Sequence, residues 1–117
     1  MVKRVQQVLL VEDDRAVSFM LSEYLQIAGI RTISAFTVEE AEKGLAEHRV
    51  DAILLDACLQ KEQDGVRFLQ SVRPHFSGKI IGISGSPAGN SALRNSGATM
   101  SFPKTSCMAI IGALVSP

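Results

Sequence analysis

The side chains in this sequence that could do chemistry together all stand at or just after the ends of apolar runs. Glu12-Asp13-Asp14 follows Gln7 to Val11, Asp56 follows Ala52 to Leu55, Ser84 closes the run that begins at Lys79, and Lys104 comes just after Thr99 to Phe102. If the runs Gln7 to Val11 and Ala52 to Leu55 form neighbouring strands, Glu12, Asp13 and Asp56 meet in one pocket. Two carboxylates about 4 Å apart repel by roughly 4 kcal/mol at an effective dielectric near 20, so three of them need a cation or protons to coexist. Mg²⁺ suits such a group. It takes oxygen ligands in octahedral geometry, keeps several waters, and typically binds through one or two carboxylates plus phosphate oxygens.

The elements that must position these residues are legible from periodicity. The runs at Gln7 to Val11, Ala52 to Leu55 and Lys79 to Ser84 are continuous and apolar, as strands covered on both faces are; Arg31 to Phe36 is mixed, and Thr99 to Phe102 completes a set of five. After Asp14, a candidate N-cap, Val17, Met20, Leu21, Tyr24, Leu25 and Ala28 recur at helical spacing until Gly29. Thr37-Val38-Glu39-Glu40 has the form of a capping box, with Ala41 and Leu45 continuing one face of a second helix. Asp64 is expected to cap a third, carrying Val66, Leu69 and Val72 and ended by Pro74. Pro87 to Ser96 contains Gly89 and Asn90 and has Leu93 as its one large apolar anchor, which predicts a short or mobile fourth helix. Thr105 or Ser106 opens a last helix through Met108, Ile111, Leu114 and Val115. Strand and helix alternating five times imply a parallel sheet with right-handed crossovers and helices on both faces. In such sheets ligands sit beyond the carboxyl ends of the strands, where the acidic residues, Ser84 and Lys104 lie.

At 117 residues and 46% hydrophobic, the chain makes one domain, residues 1–117, with a core that needs no staples. Twelve Lys+Arg balance twelve Asp+Glu, so no excess positive charge drives direct binding to nucleic acid. No apolar run approaches the roughly 20 residues that span a bilayer, and no export signal follows Met1, so neither membrane nor secretion is expected. Cys58 and Cys107 lie outside any metal-ligand spacing, which fits a reducing cytoplasm.

Val8-Leu9-Leu10-Val11-Glu12-Asp13-Asp14, Ile53-Leu54-Leu55-Asp56, Ile83-Ser84-Gly85 and Lys104, in that order at four strand ends, resemble the receiver domain of two-component response regulators over nearly the whole chain. The resemblance implies a flavodoxin-like (βα)5 three-layer sandwich whose five-stranded parallel sheet has the order 2-1-3-4-5. It implies that Asp56 accepts a phosphoryl group from a sensor histidine kinase or phosphotransfer protein, with Glu12, Asp13, Asp56 and the backbone carbonyl of Cys58 holding Mg²⁺. Lys104 would pair with one phosphoryl oxygen and Ser84 would donate a hydrogen bond to another, drawing its loop inward. A downstream effector or neighbouring domain would read the change. Such a chain is a phosphoacceptor signalling domain, catalysing only its own phosphorylation and dephosphorylation, and no output domain is expected within it.

The sequence also departs from that pattern. Gln60 stands where the family usually has proline, in a loop one residue longer than usual. Thr105, and not proline, follows Lys104; a non-proline cis bond costs about 2.5–4 kcal/mol, so a trans bond with the ammonium displaced from Asp56 is expected. Ser101 occupies the place of an aromatic residue, and Phe102 beside it points to the opposite face. The interval from Ser84 to Gly97 is short. These departures keep a second reading open, a degenerate receiver acting as an unphosphorylated interaction module. Ser84 also reads as a turn former, and His48 and His75 as exposed residues near helix ends. A haloacid-dehalogenase-type phosphohydrolase would need a second Asp where Cys58 stands. A mononucleotide binder would not place Glu12-Asp13-Asp14 in its phosphate loop. From Thr105 to Pro117 there is no charged residue, which suits either a homodimer or domain contact through the last helix, or a terminal helix with a small outer face.

Overall fold

The computed structural model describes residues 4–116. The chain alternates β1 (Gln7–Val11), α1 (Arg15–Ile27), β2 (Arg31–Ala35), α2 (Val38–Glu47), β3 (Ala52–Leu55), α3 (Asp64–Val72), β4 (Lys79–Gly82), α4 (Pro87–Asn95), β5 (Met100–Ser101) and α5 (Cys107–Val115), with a 3-10 turn at Arg73–His75 after α3. All strand pairs are parallel and the order is β2-β1-β3-β4-β5. Every residue of β3, at the centre, is fully buried. This is the three-layer flavodoxin-like sandwich expected from the sequence, and none of the described helices is long and apolar enough to cross a membrane.

Alternation along the strands divides the core. Leu9, Val11, Ile53, Leu55 and Ile80 face α2, α3 and α4, where Ala41, Val66, Phe68, Leu69 and Leu93 complete one cluster. Val8, Leu10, Ala52, Leu54, Ile81 and Ile83 face α1 and α5, against Leu21, Leu25, Cys107, Ile110 and Leu114.

Helix starts follow local chemistry where the sequence spelled it out. The Asp14 carboxylate accepts from the amides of Ala16 and Val17, and Thr37 Oγ1 accepts from Glu40 N while Glu40 reaches back to Phe36 N. Gly29, with φ +80°, ends α1. Other expectations need correction. Asp64 does not cap α3: it is the first helical residue, and its carboxylate folds back onto the amides of Leu59, Gln60 and Lys61. The three amides of the long loop after β3 outcompete the helix amides for those oxygens. Pro74 does not end the helical path abruptly, because it sits inside the 3-10 turn. The fourth helix is formed over nine residues, as long as α3, because Ser86 Oγ caps it through Gly89 N and Pro87 fits its first position. β4 stops at Gly82 and β5 is two residues long, both shorter than their apolar runs. In α5, Cys107, Ile110 and Leu114 are buried, whereas Met108 and Val115 are exposed. His48 and His75 are exposed.

Candidate functional site

The sheet order brings β1 and β3 side by side, with Val11 paired to Leu55, so the residues after them emerge together. Glu12 N donates to Ala35 O and Asp56 N to Val11 O, which fixes both backbones to the ladder. Glu12 is fully buried and Asp56 nearly so, while Asp13 is exposed. One carboxylate oxygen from each of the three lies within 4.8 Å of the others.

Lys104, from the loop after β5, closes this group. Its Nζ stands 2.7 Å from Glu12 Oε1 and 2.9 Å from Asp56 Oδ2. The displacement expected from the missing proline does not occur, although no cis peptide exists among the described residues. The remaining oxygens are also engaged: Asp14 N donates to Glu12 Oε2 at 3.0 Å, and Cys58 N to Asp56 Oδ1 at 3.4 Å.

Charge and burial compete here. Burial pushes the Glu12 carboxyl above its ordinary value, with the neighbouring Asp56 charge adding to the rise, against the hydrogen bonds from Lys104 and Asp14 N. For Lys104 burial works against the charged form, but its bonds to Glu12 and Asp56 win, and the ammonium is held above the ordinary lysine range. Three carboxylates with one ammonium leave a net negative pocket of hard oxygen donors. That donor set fits a small divalent cation such as Mg²⁺.

Ser84 is buried just beyond β4. Its Oγ accepts from Ser86 N, and its main-chain amide donates to Asn90 Oδ1. Cys58 is exposed, and its thiol points away to Lys61 O. Ser101 faces α4, where the Arg94 guanidinium donates to its hydroxyl, whereas Phe102 packs with the α1 and α5 cluster. The two neighbours thus point to opposite faces, as strand alternation requires.

Three residues around the site escaped sequence reasoning. Gly65 lies so close to the acidic loop that a Cβ there would stand 1.9 Å from Asp56 O and 2.8 Å from Ala57 O. Gln63 precedes it with φ +59°. Asn90 is buried within α4, where the sequence marks it only as a weak helix former.

Comparison with known proteins agrees with this geometry. The family model described as the response regulator receiver domain matches residues 8–105. The uncharacterized transcriptional regulatory protein YcbL of Bacillus subtilis (strain 168) is 34% identical over 76 residues, 65% of this chain and 33% of its own length, so the match spans a third of that relative. A CheY-like receiver domain protein from Methanospirillum hungatei JF-1 superposes with a TM-score of 0.81 at 20% identity, covering 94% of this chain and 90% of its own. The BeF3-activated N-terminal receiver domain of Klebsiella pneumoniae RstA gives 0.80 at 24% identity, covering 92% and 93%. A Burkholderia pseudomallei response regulator with a phosphorylated aspartic acid, calcium ion and citrate gives 0.82 at 20% identity, covering 93% and 66%. At these identities the structural likeness speaks for the fold.

Proposed function

Because the chain belongs to the response regulator receiver domain family, we propose that Asp56 accepts a phosphoryl group from a phosphohistidine on a sensor histidine kinase or phosphotransfer protein, with Mg²⁺ held beside it. Phosphoryl acceptance is the general function of such domains, which are signalling domains and not classical enzymes. The observation that supports the reading for this chain is the convergence of Glu12, Asp13 and Asp56 oxygens within 4.8 Å, beside the Lys104 ammonium. A carboxylate attacking in line needs positioning more than covalent help.

Each residue has a part in this reading. Glu12, Asp13, Asp56 and the Cys58 carbonyl hold the cation, which when bound neutralises charge developing on phosphoryl oxygens. Asp56 is the nucleophile. Lys104, which contacts Asp56 Oδ2, pairs with a phosphoryl oxygen, and Ser84 donates its hydroxyl to another, biasing the loop that follows β4. That biased loop passes the state to a downstream effector or neighbouring domain in the cytoplasm. The same constellation accounts for self-catalysed phosphorylation from small donors and for dephosphorylation.

The test is to incubate the chain with Mg²⁺ and acetyl phosphate and to read intact mass for the native chain and Asp56→Asn. One phosphoryl group on the native chain and none on the variant is the expected result. Uptake that survives the substitution removes Asp56 from its role, and uptake by neither leaves the unphosphorylated interaction module as the better account.

A further inference from the structure

Helix α4 carries a buried amide that the acceptor chemistry does not use. Asn90 is 7% exposed, in a helix whose interior positions favour residues without competing polar groups. Its hydrogen bonds use the acceptor and both donors. Oδ1 accepts from Ser84 N at 2.9 Å, and Nδ2 donates to Ser84 O at 3.2 Å and to Phe102 O at 3.1 Å. One amide orientation alone meets an N–H on one side and two carbonyls on the other.

The partners lie where the strand ladder runs out. β4 ends at Gly82, and Ile83 N still bonds across to Leu55 O, but the amide and carbonyl of Ser84 both close on Asn90. β5 ends at Ser101; Phe102 N bonds to Gly82 O, and Phe102 O to Asn90. Lys104 follows two residues later, in a turn closed by Ser106 N donating to Pro103 O. The first turn of α4 is also pressed onto Ser84, for a Cβ at Gly89 would stand 2.3 Å from Ser84 Oγ.

We propose that Asn90 is a positioning residue that joins the Ser84 segment to the Lys104 segment, so that hydroxyl and ammonium are presented to Asp56 as one unit. The inference rests on Asp56 being the phosphoryl acceptor. It also supplies a physical reason why Lys104 reaches Asp56 without a proline after it: the turn is anchored through Phe102 O by a side chain from α4. Inward movement of Ser84 then pulls on α4 and on the Lys104 turn together, because one rigid amide holds both.

The full chain is compared with Asn90→Leu, which keeps the γ-branched outline and makes none of the three bonds, and Asn90→Asp, which keeps the acceptor for Ser84 N and loses both donors. Nuclear magnetic resonance of the Lys104 ammonium and the Ser84 amide, without metal or phosphoryl donor, reads the two segments directly. With far-UV dichroism unchanged, both variants should shift the Lys104 signal toward that of a solvated lysine. The Ser84 amide should move more in Asn90→Leu than in Asn90→Asp, and phosphorylation by acetyl phosphate should slow by about tenfold. A folded Asn90→Leu whose Lys104 resonance and phosphorylation rate equal the native values overturns the proposal. If the native chain takes up no phosphoryl group, the acceptor reading fails on its own, and the Lys104 resonance still decides the coupling. Should both variants unfold, Lys104→Met applies the perturbation from the other side: it must shift the Asn90 side-chain amide protons, and unshifted protons overturn the proposal.

Discussion

Replacing Lys104 by methionine keeps most of the aliphatic stem and removes the one cation that, among the described residues, contacts both Glu12 and Asp56. The ammonium lies 2.7 Å from Glu12 Oε1 and 2.9 Å from Asp56 Oδ2. At an effective dielectric near 20, each contact carries about 6 kcal/mol of Coulomb attraction. Desolvation of the three groups offsets most of that, and removal of one member of a buried pair costs about 3–5 kcal/mol. The Lys104 side chain keeps 21% of its surface in solvent, and Glu12 can relieve the repulsion by taking up a proton, its carboxyl being already pushed upward by burial. The lower end therefore applies: about 3 kcal/mol, or roughly 12 °C in Tm for a domain of this size. Urea unfolding at pH 7 in EDTA measures it as a lower midpoint with an unchanged slope. Saturating Mg²⁺ should narrow the gap, since a bound divalent ion takes over the neutralisation and adds its own binding free energy to the folded state. A variant within about 0.5 kcal/mol of the native chain in EDTA, or a gap that widens with Mg²⁺, refutes the view that Lys104 holds the carboxylates together.

Gly65→Ala should cost about 3 kcal/mol in urea unfolding, because its Cβ would meet backbone at Asp56 and Ala57 that has no room to yield; native stability would show that α3 can stand off from the acceptor loop. Gln63→Gly should raise stability by about 0.5–1 kcal/mol, since residue 63 holds φ +59° and glycine adopts that conformation without a Cβ clash, and an unchanged or lower midpoint counts against a left-handed residue there. The pH dependence in EDTA follows from Glu12. Its folded-state pKa is raised above 4.5 by burial first of all, so its contribution to stability is present below that value and lost as pH rises through the raised one. The native chain should therefore lose stability relative to Glu12→Gln as pH climbs through that window, and parallel stability curves for the two chains contradict the assignment.

The architecture and the acidic pocket were readable because each rests on a local signal. Continuous apolar runs mark strands covered on both faces, and the residues that end them must emerge at one rim once the sheet is parallel. Asp14 and Thr37 cap as written because their side chains have no partner closer than the helix amides. Asp64 misled for the converse reason: three amides of a loop nearby in space claimed its carboxylate, and no sequence pattern announces that competition. Lys104 was placed at the right rim, but its contact with Asp56 depends on how the chain turns after β5, a tertiary matter that no local pattern records. Asn90 was invisible for the same reason. Its amide is poor in a helix by propensity, and its use appears only once the ends of β4 and β5 are beside it. The short β5 reflects a tertiary effect too: it is an edge strand with one neighbour, and past the bond from Phe102 N to Gly82 O the Phe102 carbonyl and the Ser84 main chain turn to Asn90.

The sheet works as a partition wall. Leu9, Val11, Ile53 and Leu55 furnish one room, and Val8, Leu10, Ala52 and Leu54 the other, with no strand side chain serving both. Each room can be refurnished by compensating exchanges among its own helices while the opposite one stays as it is. What neither can do is warp the wall, for residues 12, 56 and 84 are fixtures mounted along its top edge. Sequence drift in this protein should accordingly come in two uncorrelated sets of apolar substitutions, one on each side, around a backbone plane that both must respect.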